Sequence, residues 1–160
     1  MMRGANSTFR RVGDGDAAIP ARGNLVYLLD TNVISELRKA RPHIGVMTWL
    51  RRVDDRNLHL SAVSLGEIQA GIEITREQDP AKASEIEAWA NQIVGSWNVL
   101  PMDTAAFRVW AKLMHRRSDI LIGDAMIAAT ATVHGLCVVT RNAKDFRGFG
   151  VELFNPFKRG

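Results

Sequence analysis

Residues 25–29, Leu-Val-Tyr-Leu-Leu, are apolar without alternation and stop at Asp30. A strand with one wet face alternates apolar and polar residues, whereas a short unbroken apolar run fits a strand buried on both faces, as in a parallel sheet. Parallel strands need crossover connections, usually helices. The remaining chain supplies them. Val33, Ile34 and Leu37 open a helix, and Ile44–Val53 reads as a second one ending in Asp-Asp-Arg-Asn. Leu-His-Leu at 58–60 is a short strand, followed by a helix over Ala62–Glu77 that Asp79-Pro80 stops. The next helix, Ala81–Trp97, carries Ile86, Trp89, Ala90, Ile93, Val94 and Trp97 on one stripe. Asn-Val-Leu at 98–100 is a strand, and Thr104–Arg117 a helix capped near Asp103. A helix over Asp124–His134 ends at Gly135, and strands follow at 136–140 and 151–154. Strands separated by helices predict a three-layer α/β/α sandwich with a mainly parallel central sheet.

Composition narrows the class. A chain of 160 residues, 46% hydrophobic and 24% charged, has room for one globular core. No apolar run approaches the roughly 18 residues of a membrane helix, and no apolar segment follows the basic N-terminus as in a secretory signal. Cys137 is the sole cysteine, which excludes an internal disulfide and a cysteine-based zinc site and fits a cytoplasmic protein. The excess of 21 basic over 17 acidic residues permits a polyanionic partner without requiring one. Residues 1–24 are rich in Gly, Asp, Ser, Asn and Arg and show no period, so a flexible extension is expected there, with one domain over 25–160.

In parallel sheets, ligands gather outside the carboxyl ends of the strands. Asp30 falls at such an end, as do Thr140, Arg141 and Asn142, with Asp145 a turn later. Glu67 and Asp124 stand at helix starts, and Asp124 heads a stripe of Ile127, Ala128 and Ala131 that points it inward. Each acid also has a plain reading. Asp30 and Asp124 could be helix caps, Glu67 could complete a capping box with Ser64, and Asp145 could close a turn. Four acids at one end of a sheet are less easily explained so, because close carboxylates repel and one would protonate unless a cation neutralised them. Oxygen donors without Cys or His at metal spacing point to magnesium or manganese. His43, His59, His115 and His134 are scattered.

The segments VYLLDTNVISEL, LSAVSLGEIQAGI, IGDAMIAATATVHGL and VVTRNAKDF occur in the order and approximate spacing of PIN-domain ribonucleases, and within them the chain resembles the VapC toxins of toxin–antitoxin pairs, including the FitB type. The likeness spans about residues 25–157. It implies an acidic cluster that binds Mg2+ or Mn2+ and cuts single-stranded RNA, in a cytoplasmic homodimer restrained by a small VapB-like antitoxin, through which the pair meets operator DNA. Matched by motif position, Asp30, Glu67 and Asp124 are the core acids. Relatives place the fourth acid at either the Asn142 or the Asp145 position; here Asp145 is the acidic one, with Asn142 assisting by a hydrogen bond. Thr31 and Asn32 would orient Asp30 or bind a metal-held water, and Thr140 would do likewise for Asp124.

On this reading a metal-bound water attacks phosphorus in line. Arg38, Lys39, Arg41, Arg51, Arg52, Arg116, Arg117, Arg141 and Lys144 are candidate backbone contacts, of which a few would touch phosphate. A haloacid-dehalogenase-like phosphatase needs a second Asp two residues after the first, where Asn32 stands. A receiver domain wants an acidic pair upstream, and Leu28-Leu29 precede Asp30. The non-enzyme alternative is a nucleic-acid-binding regulator on the same fold, acting with an antitoxin on operator DNA.

Overall fold

The computed structural model describes residues 25–158. The extension expected over residues 1–24 lies outside the described residues. Five strands, β1 (Tyr27–Leu29), β2 (Leu58–Ser61), β3 (Asn98–Leu100), β4 (Cys137–Val139) and β5 (Leu153–Phe154), form a sheet of order β3-β2-β1-β4-β5. Every pairing in it is parallel. β1 is central, and its apolar run is explained by its two buried faces. Leu29 packs with Val139, Leu58 and Leu60 on one side, while Leu28 packs with Val138 on the other. Full burial of each such leucine contributes about 1.5–3 kcal/mol.

Helices cover both faces. α1 (Thr31–Glu36), α2 (Ile44–Arg52), α3 (Ala62–Gln78) and α4 (Pro80–Ser96) lie with the Leu29 side, where Val33, Ile34, Val46, Leu50 and Ile93 close the core. α5 (Thr104–Met114), α6 (Ile122–His134) and α7 (Ala143–Phe146) lie with the Leu28 side, where Ala125, Ile127, Ala128, Ala131 and Phe146 pack. Asp79 ends α3 and begins α4, its side chain accepting from the Lys82 N–H at 3.0 Å, and Pro80 occupies the first helical position where no donor is needed. The sandwich expected from the sequence is the observed one.

Several local expectations need correction. The helix expected to reach Arg117 ends at Met114, because Arg116 adopts a left-handed backbone with φ 61°. The helix expected from Asp124 begins two residues earlier, after a 3-10 turn at Asp119–Leu121 capped by Ser118, so Asp124 sits inside the first turn and is no cap. The capping box of Ser64 and Glu67 does not form. Ser61 is the cap of α3, accepting from the Val63 N–H at 3.1 Å, and Ser64 is buried one turn in. Asp145 lies in the short helix α7 where a turn was expected. Of the α4 stripe, Ala90, Ile93 and Trp97 are buried, whereas Val94 is 53% exposed. Among the described residues no helix is long and apolar enough to cross a membrane.

Candidate active site

Because every strand is parallel, all carboxyl ends open on one edge; Asp30 and Glu67 are joined there through Thr31, and Asp124 and Asp145 lie within electrostatic reach of Asp30. Asp30 extends β1 by donating its N–H to the Val139 carbonyl at 2.9 Å. It then caps α1, with Oδ1 accepting from the Thr31 N–H at 2.8 Å. Its Oδ2 accepts from Thr140 Oγ1 at 2.7 Å and from Asn32 Nδ2 at 3.1 Å. Thr140 thus serves Asp30 and not Asp124 as expected, since β4 is the hydrogen-bonded neighbour of β1. Thr140 is itself held by the Asn142 N–H at 2.9 Å, and Asn32 Oδ1 accepts from the Arg141 N–H at 3.1 Å. Asn142 therefore contributes through its main chain, which any residue but proline could do.

Glu67 reaches the edge from α3. Its Oε1 accepts from Thr31 Oγ1 at 3.2 Å, so Thr31 joins two acids, one through its amide and one through its hydroxyl. The first turn of α6 comes close: a Cβ on Gly123 would lie 3.9 Å from Glu67 Oε1. Asp124, the next residue, is half-buried.

The electrostatics tie the four acids together. Burial pushes the Asp124 carboxyl up to about 6, and the charges of Asp30, Asp145 and Glu67 add to the rise. Burial also raises Asp30, with Asp145 adding and the donors from Thr140, Thr31 and Asn32 pulling the other way. Glu67 is raised by burial and by Asp30, against the Thr31 hydroxyl. Among the described residues no Lys or Arg forms an ion pair with any of the four. Nor, among those residues, do three acid, His or Cys side chains stand near enough together to hold an ion as arranged. The donor set still suits a hard divalent cation: carboxylate, hydroxyl and amide oxygens, carrying repulsion that a cation would relieve.

Glu36 and Phe157 escaped the sequence reading. Glu36 is 2% exposed at the end of α1, bonded to Lys39 Nζ at 2.7 Å, the His43 N–H at 3.0 Å and Arg141 Nη2 at 3.3 Å. Burial opposes its charge, but these partners outweigh burial and hold its carboxyl below the usual range. The available signal was its position three residues after Val33, on the buried side of the helix. The Arg141 guanidinium lies 4.0 Å from the centre of the Phe157 ring. Arg117, one of the candidate backbone contacts, is instead tied to the Gly148 carbonyl at 2.6 Å and lies over Phe149. Arg38, Arg41, Arg51, Arg52, Arg116 and Lys144 are exposed.

The chain as a whole is similar to known proteins. The PIN domain family matches residues 27–151. A VapC ribonuclease of Sinorhizobium fredii, Y4jK, is 36% identical over 144 residues, covering 83% of this chain and 99% of that protein. Toxin FitB of Neisseria gonorrhoeae is 30% identical over 139 residues, covering 82% and 99%. The solved structure of FitAB bound to an IR36 DNA fragment superposes with a TM-score of 0.73 at 29% identity, covering 84% of this chain and 98% of that one. The chain belongs to the PIN-domain family, in the group of VapC ribonucleases and FitB toxins.

Proposed function

We propose that the protein is an endoribonuclease that uses Mg2+ or Mn2+ at Asp30, Glu67, Asp124 and Asp145, and that it is the toxin of a toxin–antitoxin pair. The observation that supports this reading is that burial, together with the charges of Asp30, Asp145 and Glu67, pushes the Asp124 carboxyl up to about 6. Capping does not account for Asp124, which lies inside the first turn of α6. The metal, when bound, would activate a water and offset charge on the phosphoryl oxygens. Asp30 is the fixed point: donors from Thr31, Asn32 and Thr140 hold both of its oxygens in place and offset part of the rise that burial imposes on its carboxyl. Thr31 orients Glu67 against Asp30. Asp124 and Asp145 supply the remaining negative charge, and Asp124 near neutrality can take or release a proton at the edge. The proposed substrate is single-stranded or loop RNA, whose unpaired bases can splay away from the backbone that meets the acids.

The likeness to FitB in its solved complexes with FitA supports a small VapB-like antitoxin as partner, and the proposal includes a cytoplasmic homodimer. An antitoxin would silence the edge by placing an Arg against the carboxylates, where bidentate pairing is strong. The FitAB–DNA structure supports operator binding by the pair, through the antitoxin. The test is cleavage of single-stranded RNA with and without Mg2+ by the parent and Asp124→Asn. Metal-dependent cutting by the parent, lost in the variant, is expected. Equal cutting by both would sink the assignment, and binding of operator DNA without any cutting would favour the regulator.

A further inference from the structure

On the β5 side of the acidic edge lies a groove of about 720 Å³, lined by α2 and by the segment that follows β5. Its wall is aromatic. The His43 and Phe157 rings are 5.0 Å apart, and the Trp49 and Phe154 rings are 5.3 Å apart. Phe154 is 37% exposed and Ile44, at the start of α2, is 69% exposed, so the groove presents apolar side chains to solvent. The charged residues in the lining are Arg52 and Lys158, and no acid is among them. This is an apolar, cationic groove beside an anionic edge.

The groove is joined to the acids by a short chain of contacts. Asn32 binds Asp30 through Nδ2 and the Arg141 N–H through Oδ1. Arg141 stacks on Phe157, which lines the groove, and Asn155 Nδ2 donates to the Arg141 carbonyl at 3.3 Å. Glu36 uses one edge of the guanidinium, and about half of the Arg141 side chain stays exposed, which leaves N–H donors for an anion. Aromatic faces beside spaced cations are what an unpaired nucleic-acid strand requires: bases stack and phosphates are neutralised, with little dependence on sequence.

We propose that this groove is a nucleobase subsite: single-stranded RNA positioned at the acidic edge passes Arg141, which meets a phosphate, and a neighbouring base stacks against Phe157 and Phe154. The inference rests on the ribonuclease reading above and extends it to how substrate is held. Arg52 and Lys158 then meet the next phosphates along the strand. Affinity gained here acts on ground state and transition state alike, so it would show in KM and not in kcat.

The experiment measures anisotropy of a labelled ten-nucleotide single-stranded RNA on the full chain carrying Asp124→Asn, which keeps the RNA intact, and KM on the chain with Asp124 present. Phe154→Ala should raise Kd and KM about five- to tenfold, as expected for one lost stacking partner. Because Phe154 also packs on Trp49, the exposed pair Arg52→Ala with Lys158→Ala is measured beside it, with a similar rise expected and the melting temperature unchanged. Unchanged Kd in both variants, while the parent cleaves, overturns the subsite and leaves the nuclease. RNA binding that depends on the groove without any cleavage overturns the nuclease and leaves the subsite. No RNA binding at all overturns both. Variants that spare RNA but weaken a complex with a small partner protein make the groove a peptide site, which also overturns the proposal.

Discussion

Two buried carboxylates bracket the same short helix. Asp30 precedes α1 and is 5% exposed; Glu36 ends it and is 2% exposed. Glu36 has two cations and a main-chain N–H, and its carboxyl is held low. Asp30 has neutral donors and further acids as neighbours, and its carboxyl is pushed up. The same burial thus has opposite consequences. Glu36 is a solved electrostatic problem that ties α1 to the strand-β4 loop. Asp30 is left unsolved, and an acid cluster left in that state is suited to a cation or a proton that arrives later.

The comparison can be broken most sharply at Asp30. Asp30→Asn keeps an oxygen for the Thr31 N–H but removes one negative charge from the edge. RNA cleavage should fall roughly 10²–10³-fold, the scale seen when one charge-stabilising group is lost. Folding by circular dichroism should persist. Retained cleavage would place Asp30 with Glu36 as a structural acid.

Glu36→Gln should show the opposite pattern. It leaves Lys39 and Arg141 without their anion, and a buried pair so broken costs several kcal/mol; both cations are about half exposed here, so about 1–3 kcal/mol is expected. The folded Glu36 titrates below its unfolded value, so its contribution is present above about pH 4.3 and fades as the pH falls through the folded value. The gap in melting temperature between parent and variant should be full at neutral pH and narrow in acid. A gap that stays constant would mean the loss is one of packing.

A smaller effect is expected at Asp124. Its folded carboxyl titrates at about 6, above the ordinary 3.8, so the folded state binds the extra proton between those values. Metal-free stability should therefore fall as the pH rises from about 4 to 6, on the order of 1 kcal/mol once screening on its open side is allowed for. Asp124→Asn should reduce that slope, leaving the part due to Asp30 and Glu67, and be at least as stable as the parent at neutral pH. Mg2+ should then raise the parent's melting temperature more than the variant's. A parent whose stability is flat over this range would show that the Asp124 carboxyl is not raised in the folded protein.

The apolar run before Asp30 determined a strand buried on both faces, and the strand–helix alternation determined the sandwich, because both signals are local periods written in neighbouring residues. The same logic placed Asp30 and Thr140 at strand ends, and the absence of metal-spaced Cys and His left an oxygen donor set. Tertiary structure decided the pairings. Thr140 turned to Asp30 and not Asp124 because the order β3-β2-β1-β4-β5 sets β4 beside β1. Asp124 lost its capping role because Ser118 starts a 3-10 turn ahead of it. Glu36, Arg141 and Phe157, spread over more than a hundred positions of sequence, became one cluster in the same way. Residue types and periods fix what a segment can bury; the energy of a charge depends on distances to groups far along the chain, and those distances exist only once the sheet is ordered.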